Sequence, residues 1–122
     1  LDLSIEDAKN TEQSLAGISY SSFLLSTSEN RSFEEGIAAV LPCYWTYAEI
    51  AKYHKDKINR NSKELYKEWA AYYLESDYLE LVNRIKTIVD SIDSEFPYEK
   101  LKSAFINSSR YEYEFWDEVY SL

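Results

Sequence analysis

The chain contains a single cysteine, Cys43, and the residue before it is a proline inside a predicted helix. Proline in a helix interior removes one backbone hydrogen bond and costs about 3 kcal/mol. Such violations of local rules tend to occur at functional sites. Tyr47 follows four residues later, so its side chain shares a helix face with that of Cys43. A thiol in this place suits nucleophilic chemistry, but a lone cysteine is more often a small buried core residue.

A second violation is Glu112, which falls in the apolar stripe predicted for the last helix. A carboxylate that faces a core is costly unless it is paired or protonated. A carboxyl group that stays protonated near neutral pH suits a general acid. The alternative is a structural glutamate that is paired with Arg110 or with a tyrosine of a neighbouring helix.

The third unusual feature is a surplus of tyrosine, with twelve in 122 residues. Tyr20, Tyr47 and Tyr73 fall on or beside apolar stripes of three different helices. Buried tyrosine hydroxyls need hydrogen-bond partners, so these three would line a polar, aromatic pocket that suits a flat heteroaromatic ligand. For most of the twelve, the better interpretation is a core side chain whose hydroxyl group lies at the rim.

Hydrophobic spacing predicts five helices that would position these residues. They cover about 11–26, 32–57, a segment with Leu65 and Trp69, 78–92, and a segment after Pro97, with breaks at 28–31 and 59–62. Ser32 and Glu35 have the spacing of a capping box. With only two glycines and two prolines and no strand alternation, the sequence predicts an all-α, antiparallel helix bundle.

Composition excludes several classes of protein. A formal net charge of −9 argues against a nucleic-acid partner, and no apolar run reaches the roughly 20 residues of a membrane helix. One cysteine favours a reducing compartment, so we expect a cytoplasmic protein. Without zinc-ligand spacing or a phosphate loop, we expect no metal and no cofactor. The only histidine, His54, is expected to be solvated, which argues against a histidine-dependent nucleophile.

Four separated motifs together resemble the TenA / thiaminase II family. They are Leu-Pro-Cys-Tyr-Trp-x-Tyr at 41–47, Tyr-Glu-x-x-Phe-Trp at 111–116, a Trp69–Tyr73 pair, and Tyr20 about two dozen residues before the cysteine. The resemblance covers nearly the whole chain and implies a haem-oxygenase-like helical fold without haem. It also implies a homotetramer that hydrolyses aminopyrimidine products of thiamin breakdown, releasing ammonia and hydroxymethyl pyrimidine. Many members of the family cleave thiamin as well.

The resemblance also implies roles for five residues of this chain. Cys43 would add to the pyrimidine ring, so that the exocyclic group departs and water takes its place. Glu112 would bond and protonate a ring nitrogen, and Tyr47 would pack against the pyrimidine. Tyr73 and Tyr20 would bond the neighbourhood of the cysteine or close the pocket.

The chain departs from the family in length, because members are roughly twice as long. Their first half supplies a catalytic aspartate and an aromatic side chain, and neither Asp2 nor Asp7 lies in a matching motif. Since the chain begins at Leu1 and has no methionine, we expect the natural product to start upstream. Residues 1–122 would then be the C-terminal part of one domain, which associates with another copy or with the missing half. The alternatives are a pyrimidine-binding or regulatory protein, and a helical module or fragment without activity.

Overall fold

The computed structural model describes residues 4–60 and 63–121. This part of the chain forms helices and no strand, which confirms the predicted all-α class. The helices are α1 Ile5–Asn10, α2 Leu15–Asn30, α3 Phe33–Tyr53, α4 Lys55–Asn59, α5 Glu64–Tyr72, α6 Ser76–Asp90 and α7 Tyr98–Ser121. None of these described helices combines the length and the apolar character needed to cross a bilayer.

The predicted helix ends were wrong at several places. Residues 28–30, expected in a loop, complete α2, where the Ser28 hydroxyl donates to the Leu25 carbonyl and the Asn30 amide to the Ser26 carbonyl. The backbone N–H of Arg31 donates to the Thr27 carbonyl at 3.1 Å, so the helical hydrogen-bond pattern runs through residue 30. The short helix α1 was not predicted at all.

The second predicted helix is divided in two. α3 ends at Tyr53 instead of near residue 57, because His54 leaves the helical conformation, and α4 follows as a separate turn that ends at Asn59. Residues 61 and 62 of the predicted polar break lie outside the described residues. α6 ends at Asp90, two residues short of the prediction, and α7 begins at the residue after Pro97.

The N-cap predicted at Ser32 is confirmed at the start of α3. The Glu35 amide donates to the Ser32 hydroxyl at 3.2 Å, and that hydroxyl lies 3.5 Å from a carboxylate oxygen of Glu35. Arg31 pairs with the other carboxylate oxygen at 3.4 Å. A cap of this kind stabilises a helix by about 1 kcal/mol, and here it fixes where the central helix begins.

Helix α3 is the centre of the bundle and packs against α2, α6 and α7. Part of its contact with α7 is made by small side chains: Ala38 and Ala39 form a buried cluster with Ala104 of α7, which is 0% exposed. Alanine has little volume, so the two helix backbones approach closely, and the larger Phe23, Leu24 and Leu101 pack around the cluster. This contact holds the helices of Cys43 and Glu112 together.

A second cluster joins α3 to α6. Ala48 packs with Tyr78 and Val82, and the Tyr78 hydroxyl donates to the carbonyl of Tyr44 at 2.9 Å. The predicted apolar stripe of α6 is only partly buried, however. Leu81 is 40% exposed and therefore does not belong to the buried core.

Helix α5 carries an apolar surface that the described residues leave uncovered. Its exposed large side chains are Leu65, Tyr66, Trp69 and Tyr72. Four such side chains on a nine-residue helix form a patch of the kind that marks an association surface.

The close approach of α3 and α7 can be tested by overpacking. We expect Ala104→Leu to lower the free energy of unfolding by about 1–3 kcal/mol, because the fully buried site has no room for three more carbon atoms. The matched control is Ala71→Leu on the exposed part of α5, where a change within about 0.5 kcal/mol is expected. Urea denaturation followed by circular dichroism measures both variants. Equal effects at the two alanines would contradict the packing described for α3 and α7.

Candidate active site

The bundle brings together three of the five residues singled out from the sequence. Tyr20 of α2, Cys43 of α3 and Glu112 of α7 lie close together at the centre of the bundle, where Glu112 and Tyr20 both act on the ionisation of the Cys43 thiol. Tyr47 lies one turn after Cys43, and Tyr73 immediately follows α5. The charges of Cys43 and Glu112 still influence both of these tyrosines. All five therefore border one region.

The backbone beside Cys43 is shaped by Pro42, whose side chain is fully buried. α3 continues through this proline, although Pro42 has no N–H group to donate to the carbonyl of Ala38. One turn on, the Thr46 hydroxyl donates to the Pro42 carbonyl at 2.8 Å. Cys43 is thus held in a helix that a proline has locally weakened, with its thiol half-buried.

The environment of Cys43 favours the protonated thiol. Burial raises the pKa of this thiol, and the neighbouring carboxylate of Glu112 raises it further, to about 11. The hydroxyl of Tyr20 acts in the opposite direction, because it can donate a hydrogen bond to the thiolate. None of the described residues that shift this pKa is a cation. An external base is therefore needed to make Cys43 a nucleophile at neutral pH.

Glu112 has an unsatisfied oxygen in the interior. The residue is 5% exposed, and its Oε2 atom has no hydrogen-bond partner among the described residues. Pairing with Arg110, one of the structural alternatives, is absent from the ion pairs of the described chain. Contact with Tyr20, the other alternative, does occur. An unpartnered buried carboxyl oxygen is costly, so a ligand would be stabilised here if it donated a hydrogen bond to the carboxylate or accepted one from the protonated group.

Tyr20 is held on two sides. Its hydroxyl lies 3.0 Å from the hydroxyl of Ser108 in a buried contact, and its ring stacks on Tyr111 with centroids 5.9 Å apart. Burial raises the pKa of Tyr20 far above its ordinary value, so the phenol keeps its proton. Sequence reasoning missed Ser108. The only available signal was its position one turn before Glu112, in the buried stripe of α7.

An aromatic cleft of about 450 Å³ lies beside these polar groups. Its lining residues are Tyr47, Ile50, Ala51, His54, Ile58, Tyr66, Trp69, Ala70, Tyr73 and Trp116. The ring of Tyr47 is at its centre, with centroid distances of 5.0 Å to Tyr73 and 5.7 Å to Trp116. His54, expected to be solvated, is partly buried and lines this cleft.

The site thus joins a flat aromatic surface to a small set of hydrogen-bonding groups. Tyr47 connects the two parts, because it lines the cleft and follows Cys43 by one helical turn. Such a combination can bind a planar heterocycle and present a carboxyl group and a thiol to its edge. Within residues 4–60 and 63–121, no cluster of three or more acidic, histidine or cysteine side chains has a geometry that could hold a metal ion.

Comparison with known proteins agrees with this arrangement. The sequence matches the TENA/THI-4/PQQC family over residues 1–122. It is 34% identical to an aminopyrimidine aminohydrolase of Helicobacter pylori, over 98% of this chain and 57% of that protein. It is 32% identical to an aminopyrimidine aminohydrolase of Halalkalibacterium halodurans, over 99% of this chain and 55% of that protein. The chain therefore spans little more than half the length of these relatives.

A solved structure gives the same result. The TenA homologue protein from P. horikoshii superposes with a TM-score of 0.91 and 44% sequence identity, over 95% of this chain and 54% of that one. The prediction of an all-α, haem-oxygenase-like bundle is thereby confirmed. From the match along its full length, the identity to curated relatives and the shared fold, we conclude that this chain belongs to the TENA/THI-4/PQQC family.

Proposed function

We propose that this chain is part of an aminopyrimidine aminohydrolase of thiamin salvage. The reaction would convert aminomethyl pyrimidine and water into hydroxymethyl pyrimidine and ammonia. The observation that supports this function most strongly is the buried, unpartnered oxygen of Glu112 beside the Cys43 thiol and the aromatic cleft. The names of the two curated relatives agree with it. Thiamin itself is a possible second substrate of the same chemistry.

In this proposal, Cys43 is the nucleophile and Glu112 the proton donor. The sulfur of Cys43 adds to the pyrimidine ring, while the carboxyl group of Glu112 gives a proton to a ring nitrogen. The protonated exocyclic amine then leaves as ammonia, and water adds in its place and loses a proton. The sulfur departs from the ring as a thiolate while the ring nitrogen returns its proton to Glu112. Tyr47 packs against the pyrimidine, and Tyr73 and Tyr20 border the substrate and the thiol.

A base that activates Cys43 is the part that these residues do not supply. The thiol has a pKa of about 11, so roughly one thiol in a thousand is ionised at pH 8. We propose that this proton is accepted by a carboxylate in a part of the domain that corresponds to the unmatched part of the relatives. Residues 1–122 would then be the C-terminal part of a single catalytic domain.

The proposal extends to assembly and location. The uncovered apolar side chains of α5, among them Trp69 at 49% exposure, favour association with the rest of the domain or with other copies of the chain. The assembled enzyme would be a cytoplasmic homotetramer. Light scattering tests this part, and a stable monomer of the chain would count against it.

One observation favours a second candidate, a protein that binds pyrimidine for regulation and does not turn it over. With its raised pKa, the Cys43 thiol stays protonated and therefore unreactive, while the side chains that would bind the pyrimidine remain in place. Iodoacetamide labelling in the presence of hydroxymethyl pyrimidine separates the candidates. Protection together with turnover supports the enzyme, and ligand binding without turnover supports the regulator. Absence of any ligand effect supports a helical module or an inactive fragment.

The nucleophile can be tested by assaying ammonia release from 4-amino-5-aminomethyl-2-methylpyrimidine. We expect the turnover rate to fall at least about a thousandfold in Cys43→Ala, because the sequence contains no other thiol for the covalent step. Ser103→Ala, on the exposed side of α7, should keep full activity. Turnover retained in Cys43→Ala would refute the assignment of the nucleophile. No turnover in the unchanged chain would show that this chain alone is not an active enzyme.

The coupling between Glu112 and Cys43 gives a prediction about pH. A negative charge beside the thiol opposes its ionisation, so Glu112→Gln should lower the pKa of Cys43 from about 11. Below that pH the alkylation rate follows the thiolate fraction. We therefore expect Glu112→Gln to react about threefold to tenfold faster with iodoacetamide at pH 8, while ammonia release falls. Glu114→Gln removes an exposed carboxylate two residues away and should leave both rates unchanged. Slower alkylation of Glu112→Gln would contradict the described contact.

A further inference from the structure

Ser108 is a fully buried hydroxyl group to which neither the motifs nor the proposed chemistry assigns a role. It is 0% exposed on α7, one turn before Glu112, and lies 3.0 Å from the Tyr20 hydroxyl of α2. This bond joins two helices at the centre of the candidate site, with a sequence separation of 88 residues. Its partner Tyr20 lies in turn close to Cys43 and Glu112, whose charges act on the Tyr20 phenol.

We propose that Ser108 is a positioning residue that donates its proton to the Tyr20 oxygen and so directs the Tyr20 proton toward Cys43 and Glu112. The inference rests on the proposed function only in taking the Cys43 sulfur as the reacting atom. Ser108 acts through Tyr20 and touches no substrate in this scheme.

The direction of the bond follows from counting donors. Tyr20 has one proton to give, and its neighbours are the hydroxyl of Ser108, the sulfur of Cys43 and the carboxylate of Glu112. The thiolate form of Cys43, which alkylation and ring addition both require, can only accept, and so can the ionised form of Glu112, whereas Ser108 can donate. If Ser108 donates to Tyr20, then Tyr20 can donate to one of the two acceptors. If Tyr20 instead donates to Ser108, it has no proton left to donate to Cys43 or Glu112.

The second part of the argument is cooperativity. A hydroxyl that accepts a hydrogen bond becomes a stronger donor, and this effect grows in a water-poor interior. Ser108 and Tyr20 both meet this condition, because both are buried. The donation from Ser108 therefore strengthens the bond that Tyr20 makes to the sulfur.

The electrostatic surroundings make this donor important. Burial and the carboxylate of Glu112 both raise the pKa of the Cys43 thiol, and Tyr20 is the described group that lowers it. The other titratable groups facing the sulfur are the phenols of Tyr47, Tyr73 and Tyr78, each with a raised pKa. These phenols stay neutral, so they supply no charge that would replace the bond from Tyr20.

A double-mutant cycle on Cys43 alkylation tests the proposal. The chain, Ser108→Ala, Tyr20→Phe and the double variant are treated with iodoacetamide between pH 7 and 9.5, and the rate is followed by mass spectrometry. We expect Tyr20→Phe to slow alkylation about tenfold, because the thiolate loses its hydrogen-bond donor. Ser108→Ala should slow it about threefold, because Tyr20 then becomes a weaker donor to the thiolate. In the Tyr20→Phe background, Ser108→Ala should have no further effect, since Ser108 acts through that hydroxyl.

Two controls separate positioning from a general loss of structure. Ser109→Ala removes the neighbouring hydroxyl, which bonds the Phe105 carbonyl, and should leave the rate unchanged. Ser108→Thr keeps the hydroxyl and should retain the rate of the unchanged chain. A faster or equal rate in Ser108→Ala would overturn the proposal, as would an effect of the same size in the Tyr20→Phe background. Alkylation needs no turnover, so failure of the proposed hydrolysis would leave this result interpretable.

Discussion

The close contact between α3 and α7 is the constraint on which the rest of the structure depends. Alanines on both helices let the backbones approach, and this approach places the thiol of Cys43 beside the carboxyl group of Glu112. Larger side chains at Ala38 or Ala104 would separate the helices. The same packing encloses the bond between Tyr20 and Ser108, because α2 contacts both α3 and α7. The core is therefore also the scaffold that aligns the groups of the candidate site.

That arrangement sets two requirements against each other. A buried carboxyl group beside a thiol suits proton donation to a heterocycle, but its negative charge opposes formation of the thiolate. The protein partly offsets this conflict with a neutral donor, the hydroxyl of Tyr20. A cation beside Cys43 would ionise the thiol more effectively, but it would also pair with Glu112 and occupy the oxygen that a ring nitrogen needs. A neutral phenol avoids this competition.

Much of the fold could be predicted from the sequence, but the ends of the helices could not. Hydrophobic spacing and the Ser32 cap gave the positions of the long helices, because both signals are local. Ser28 and Asn30 lie in the last turn of α2, although these residue types are equally typical of a loop. Cys43 and Glu112 were recognisable as a proline-flanked thiol and an acid in an apolar stripe. Ser108 was not, since a buried serine in a helix has no distinctive pattern.

The described groups supply only part of what the proposed reaction needs. The described residues can bind a planar ring through the aromatic cleft, donate a proton through Glu112 and supply the sulfur of Cys43. Every charged influence on that sulfur opposes its ionisation. Addition to the ring requires a thiolate, so the missing group must accept a proton close to Cys43 without displacing Glu112. In the proposed function, a carboxylate outside the described residues takes this role, and the exposed apolar side chains of α5 offer a surface for association.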